Sequence, residues 1–280
     1  MTSATLPLAG KRILVTRPRA QAPELVERLN HLGANAIEAP AIRIAPPEDI
    51  QPIDDACASA MSFSWVVFTS ANAVDAFMNR LNAAGGGAPA LAQTRICAIG
   101  PATGARIAGH GLRVDLAPSD HRGEGVIGAL RAGRDMRGAR ILLPRADIAR
   151  PLLPDALRAA GADVTEVTAY RTIAVPGWPG AAVREMLLER EMHAVTFTSA
   201  SAVRSAVQSL GAARTAELLH TTVVASIGPV TARAARQLGV ETVVMPSTYT
   251  TQALAQALAD HFSGTSGTPG PLSRRVGNMP

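Results

Sequence analysis

VVFTSANAV, residues 66–74, and VTFTSASAV, residues 195–203, are nearly the same stretch written twice. Each is a β-branched and aromatic run that ends in Thr-Ser and opens onto small residues, the pattern of a buried parallel strand handing over to a helix. In α/β proteins ligands bind at such strand ends.

The echo reaches far beyond these nine-residue pieces. Arg12–Arg17 (RILVTR) returns as Arg140–Arg145 (RILLPR), Leu32-Gly33-Ala34 as Ala160-Gly161-Ala162, Ile99-Gly100-Pro101 as Ile227-Gly228-Pro229, and Pro118-Ser119 as Pro246-Ser247, all 128 residues apart. The Phe-Thr-Ser pair sits at 129, one residue out of step. A period this long marks two duplicated domains rather than a solenoid of short repeats.

The 280 residues leave room for two ordinary cores, and 47% hydrophobic content is normal for a globular chain. MTSATLPLAGKRILV lacks the apolar stretch of a secretory signal, and no run approaches the length of a membrane span, so a cytoplasmic location and no membrane partner are expected. Cys57 and Cys97 are too few for a disulfide framework or a thiolate site, and the six histidines show no ligand spacing. No metal is expected. The net charge of +5 with only 3% aromatic residues offers no base-stacking platform, so nucleic acid is not expected as a partner. A modest excess of arginine suits a small polyanion better.

Hydrophobic periodicity predicts strands at 12–16, 35–39, 65–68, 95–99, 113–116, 140–143, 163–167, 194–197, 223–227 and 242–244, alternating with helices. Such alternation implies parallel sheets covered on both faces. Pro40, Pro46, Pro47 and Pro52 surround AIRIA, and YRTIAVPGWP (170–179) stands at the matching place in the second repeat. Both read as extended connectors rather than core strands, and they lie inside each repeat. A swapped arrangement follows: 1–39 with 176–263 as one discontinuous domain, 46–168 as the other, and 40–45 with 169–175 as connector strands between them. The Gly-, Pro- and Ser-rich stretch 264–280 is expected to be disordered.

No P-loop, Gly-x-Ser-x-Gly elbow or His-Glu-x-x-His occurs, and Thr16-Arg17-Pro18-Arg19 follows the first strand where a dinucleotide fingerprint would stand. Four strand-to-helix turns carry hydroxyls and small residues instead: Thr69-Ser70-Ala71-Asn72, Gly100-Pro101-Ala102-Thr103, Thr198-Ser199-Ala200-Ser201 and Gly228-Pro229-Val230-Thr231. Free N–H groups and a hydroxyl at a helix start can cradle a carboxylate or phosphate. Ser, Thr and Asn are equally ordinary N-caps. Arg17 and Arg145 end equivalent strands, with Arg19 and Arg150 just beyond, and a guanidinium there can grip a carboxylate or simply pair at the surface. Tyr170 opens the second connector, where its phenol can donate a proton or serve packing alone. A non-enzymatic two-domain binder of a small polyanion would use the same turns without needing Tyr170.

Taken together, VTRPRAQAPELVERLNHLGANAIEAPAIRI, FTSANAV, AIGPATGARIA, AYRT, FTSASAV, SIGPVTARAARQLGV and PSTYTTQALAQAL resemble the uroporphyrinogen-III synthase family from about Lys11 to Phe262. The resemblance implies two flavodoxin-like, doubly wound parallel-sheet domains joined by a two-stranded connector. It implies a cofactor-free lyase of haem biosynthesis that closes hydroxymethylbilane, a linear tetrapyrrole with eight carboxylates, with loss of water and inversion of ring D; a monomer is expected. Matched motif by motif, Tyr170 falls on the tyrosine thought to assist hydroxyl departure, Thr103 and Thr231 on the threonines of the two Ile-Gly-Pro turns, and Ser70 and Ser199 on serines that line the substrate cleft. One departure stands out: PRADIARPLL (144–153) replaces a Gly-rich turn, with Ala146 and Ala149 where close backbone approach to a carboxylate is expected.

The composition of the last stretch generates a first test. Truncation after Gly264 is expected to leave both the thermal melt and the activity unchanged, and a large fall in either shows that the tail docks.

Overall fold

The computed structural model describes residues 6–132 and 135–264, so the expected disordered tail lies, from residue 265 on, outside the described residues. The strands are β1 Arg12–Val15, β2 Asn35–Glu38, β3 Ile42–Ala45, β4 Trp65–Phe68, β5 Arg95–Ala98, β6 Arg140–Ala146, β7 Asp163–Ala174, β8 Ala194–Phe197 and β9 Val223–Ser226. The α-helices are α1 Ala22–His31, α2 Gln51–Ala58, α3 Ala71–Ala83, α4 Pro101–Gly109, α5 Gly123–Arg131, α6 Leu152–Ala159, α7 Ala181–Leu188, α8 Ala200–Leu210, α9 Ala212–Leu219, α10 Pro229–Gln237 and α11 Thr251–Phe262.

The described residues divide into two compact units, one formed by those up to 43 and from 174 on, the other by those between 44 and 173. The first holds a sheet of order β2-β1-β8-β9. A parallel bridge from Ala225 to Val244 adds a last rung, giving the doubly wound order 2-1-3-4-5 in that unit's own strand sequence. The second holds the order β3-β7-β6-β4-β5, continued by a bridge from Cys97 to Leu116. Counted from β6, it repeats the same 2-1-3-4-5 order. Each sheet therefore has one switch point, between β1 and β8 in one unit and between β6 and β4 in the other.

Why these segments form parallel strands follows from burial. All four residues of β4 (WVVF) and of β8 (AVTF) are buried, as central strands covered on both faces must be. Alternate side chains feed separate cores. In the first unit Leu14, Val195, Phe197 and Val224 pack on one face, and Ile13, Val15, Ala194 and Ala225 on the other. In the second, Val66, Phe68, Ile96 and Leu142 oppose Trp65, Val67, Cys97 and Ile141. Phe68 and Phe77 meet edge to face at 5.9 Å, each fully buried, which contributes roughly 2–3 kcal/mol per ring.

Several elements differ from the expectation. The strands expected at 113–116 and 242–244 reduce to the two single bridges, because Pro118 and Pro246 stand two residues beyond the bridges and, in the first, Asp115 Oδ2 accepts the Ile96 N–H at 2.8 Å in place of a ladder carbonyl. Between β8 and β9 two helices stand in succession, α8 and then α9 Ala212–Leu219. The Pro-flanked AIRIA and 169–175, expected as extended connector strands, form β3 and, as far as Ala174, the last part of β7, which are neighbours at the edge of the second unit's sheet; β7 is one strand of 12 residues that begins in that sheet's core.

We propose that each unit folds on its own core. Residues 44–173 expressed alone are expected to melt in one cooperative transition followed by circular dichroism, and residues 1–138, which cut across both sheets, to show none. A cooperative transition in 1–138 sinks the proposal.

Candidate functional site

The hydroxyl-rich turns lie at the carboxyl ends of β4, β5, β8 and β9, and of these strands β4 and β8 flank the switch points. In the second unit β4 ends at Phe68, and Ser70 takes extended backbone angles as the N-cap of α3, its Oγ accepting the Ala73 N–H at 3.1 Å. The same Oγ lies 3.1 Å from the Tyr170 phenol oxygen, a contact in which either hydroxyl can donate. Asn72 also hydrogen-bonds the phenol. The structure thus brings Ser70, Asn72 and Tyr170 together, although Tyr170 is 100 residues from Ser70 in the chain.

Tyr170 reaches this position through an irregularity in β7. The register against β6 pairs Arg145 with Thr168 but Ala146 with Tyr170, so Ala169 is an extra residue. Alternation alone would send Ala169 and Tyr170 to opposite faces. With the bulge, both join the core of Phe68, Phe77 and Leu142. Tyr170 is 8% exposed, and that burial raises its phenol above the ordinary 10.0, partly offset by the Ser70 and Asn72 hydrogen bonds. The group is a protonated phenol at neutral pH.

The turn after β6 is tied down by its own side chains. Arg145, expected to grip a ligand carboxylate, donates to Glu166 Oε2 at 2.7 Å and to the Arg150 carbonyl, while Arg158 donates to Glu166 Oε1 at 2.9 Å. Glu166 is therefore the carboxylate partner of Arg145, and no sequence motif marked it. Arg150 is exposed.

Gly100 and Gly228 are the N-caps of α4 and α10, and Thr103 and Thr231 in the first turns are each 4% exposed. These two turns are not bare. A Cβ on Gly100 would come within 3.1 Å of the His121 ring, and one on Gly228 within 3.1 Å of the Tyr249 ring. His121 and Tyr249 are themselves 128 residues apart, two beyond the Pro-Ser pairs, so the repeat held the signal for two exposed rings that motif reading passed over. In the first unit Ser199 caps α8 by accepting the Ala202 N–H at 3.1 Å, and the Ser201 hydroxyl lies 3.3 Å from Ser199 Oγ. Arg17 stands 3.8 Å from Glu24 with its side chain 16% exposed.

Among the described residues no group of three or more His, Cys, Asp or Glu is placed to hold a metal ion, and no helix is long and apolar enough to cross a membrane. What these turns offer chemically is hydroxyls, amide N–H groups and one buried phenol.

Comparison with known proteins meets this description along nearly the whole chain. Residues 23–256 match the family model described as uroporphyrinogen-III synthase HemD. A protein of Methanothermobacter thermautotrophicus is 34% identical over 88% of this chain and 96% of its own length. The uroporphyrinogen-III synthase of Synechococcus elongatus is 32% identical over 91% of this chain and 97% of its own. Among solved structures, a mutant uroporphyrinogen III synthase of Thermus thermophilus shares the fold at a TM-score of 0.69 and 20% identity, covering 91% of this chain and all 100% of that one. The family match and the two relatives, over most of the length of each chain, carry the conclusion that this chain belongs to the uroporphyrinogen-III synthase family.

Proposed function

We infer that this chain closes hydroxymethylbilane to uroporphyrinogen III, with inversion of ring D and loss of water. Family membership supports the reaction, and the observation that carries the mechanism is the buried, protonated Tyr170 phenol held 3.1 Å from Ser70 beside a switch point. An electron-rich pyrrole supplies its own driving force, so the protein has to hold the bilane, orient it and help a hydroxyl leave.

In this reading the terminal hydroxyl takes the Tyr170 proton and departs as water, the C–O bond breaking as the pyrrole nitrogen lone pair pushes in to form the azafulvene. Ring D attacks the resulting azafulvene carbon through its substituted position, and the spiro intermediate reopens and recloses with ring D inverted. The proton released on rearomatisation restores the phenol. Ser70 and Asn72 keep the phenol oriented and accept or donate as its charge changes. Within the second unit, Arg150 and the helix N-terminus behind Gly100 and Thr103 are the groups that take carboxylates of the bilane, and Ser199, Ser201 and the helix N-terminus behind Gly228 and Thr231 are the corresponding groups of the first unit. Arg145, committed to Glu166, shapes the turn that carries Arg150, and Arg17 ends the equivalent strand beside Glu24.

Tyr170→Phe keeps the ring's packing and removes only the acid, so kcat for type III product is expected to fall about a hundredfold, roughly 3 kcal/mol, with the melting temperature nearly unchanged. Full turnover in that variant sinks the acid role. Since the phenol's titration lies above 10.0 and the protonated form is the active one, kcat is expected to stay flat through neutral pH and decline only as pH rises past that value. Ser199→Ala is expected instead to raise KM, by about 1–3 kcal/mol in binding for a lost hydrogen bond to a charged group, with part of any loss in stability reflecting the helix cap. Type I and type III products resolved from fresh substrate give the readout, because unassisted closure forms only the uninverted isomer.

A further inference from the structure

Asp147 lies in the PRADIA stretch where this chain departs from a Gly-rich turn, and no motif drew attention to it. Its backbone N–H donates to the Tyr170 carbonyl at 3.1 Å. Its Oδ1 accepts two backbone N–H groups, from Ile148 at 2.9 Å and from Thr172 at 3.1 Å. One residue thus bonds to β7 at the phenol-bearing position itself and again two residues on, and it does so right after the register shift that turns Tyr170 into the core.

We propose that Asp147 is a positioning residue for the reaction, its main chain and carboxylate stapling the turn after β6 to β7 at and beyond Tyr170 so that the phenol stays aimed at Ser70. The proposal rests on the reading of Tyr170 as the acid. A bulge is a weak point in a ladder, because the extra residue has no partner across the strand. Beyond Ala169 the pairing of β6 with β7 is down to Ala146 and Tyr170, and from there Asp147 supplies two contacts that hold β7 to the β6 turn. A carboxylate accepting main-chain N–H groups is a stronger tie than a neutral acceptor. Its charge adds a second effect in the same direction, since a negative group near the phenol disfavours the phenolate and keeps the acid loaded.

Two variants separate this role from simple structural support. Asp147→Asn keeps an Oδ1 acceptor for both N–H groups and removes the charge. Asp147→Ala removes the acceptor as well. With the intact chain and fresh hydroxymethylbilane, Asp147→Ala is expected to lower kcat by about ten- to a hundredfold with KM unchanged, the size of effect a small misplacement of a reacting group produces. Asp147→Asn is expected to recover most of that kcat. The sequence has only two tyrosines, so in a Tyr249→Phe background the ultraviolet titration of phenol reports Tyr170 alone. Its midpoint is expected to move to lower pH in both Asp147 variants. That titration does not depend on catalysis, so a Tyr170→Phe enzyme with full turnover would remove the acid reading while the titration still shows whether the Asp147 charge acts on the phenol. An unshifted midpoint in both variants, an undiminished kcat in Asp147→Ala, or equal losses of kcat and melting temperature in both variants overturns the proposal.

Discussion

Two buried threonines hold the first unit's switch point. Thr16 Oγ1 donates to the Thr196 carbonyl at 2.7 Å and Thr196 Oγ1 to the Leu14 carbonyl at 3.0 Å, a reciprocal pair between β1 and β8 with both side chains fully buried. A buried hydroxyl without a partner costs free energy, so each threonine demands the strand that carries the other. The parallel register of Ile13 with Ala194 and Val15 with Thr196 then fixes where Arg17 and Ser199 emerge at the strand ends. The second unit meets the same need differently: β4 and β6 pair only at Trp65 with Ile141 and Val66 with Leu142, and Pro144, which has no N–H to give, pairs instead with Val167 on the β7 side.

Much of this architecture was legible because it is written twice. An offset of 128 residues located equivalent strands, and the prolines inside each repeat argued that the strands regroup. Ser70 and Ser199 were readable as hydroxyls at strand-to-helix turns because a buried strand ending in Thr-Ser before small residues leaves few alternatives. Tyr170 stood out by rarity and by resemblance rather than by any periodic signal.

The remainder was hidden for physical reasons. A bulge adds a residue without changing composition, so nothing in TAYRT announces that Ala169 and Tyr170 share a face. Arg145 looks the same whether it meets a ligand or Glu166, since its partner is chosen by cross-strand proximity 21 residues away. His121 and Tyr249 escaped because their contact is with glycines, where it is the missing side chain that makes room for the ring. The fold's duplication is also uneven where the chemistry concentrates: the residue 128 before Tyr170 is Ile42, in an edge strand with no phenol to offer.

The nesting of one unit inside the other sets an order of events during synthesis. β1 leaves the ribosome first but cannot pair with β8 until Ala194 follows, which at typical elongation rates of about 5–20 residues per second is on the order of ten to forty seconds later. Within that interval residues 44–173 emerge complete, with every strand of their sheet in hand. The N-terminal βαβ piece, β1 to β2, is made long before β8 and β9, so Leu14 waits for Val195, Phe197 and Val224, its partners in the folded core, while Ile13 and Val15 already have Leu25 and Leu29 of α1 at hand. The segment made first thus belongs to the unit that closes last.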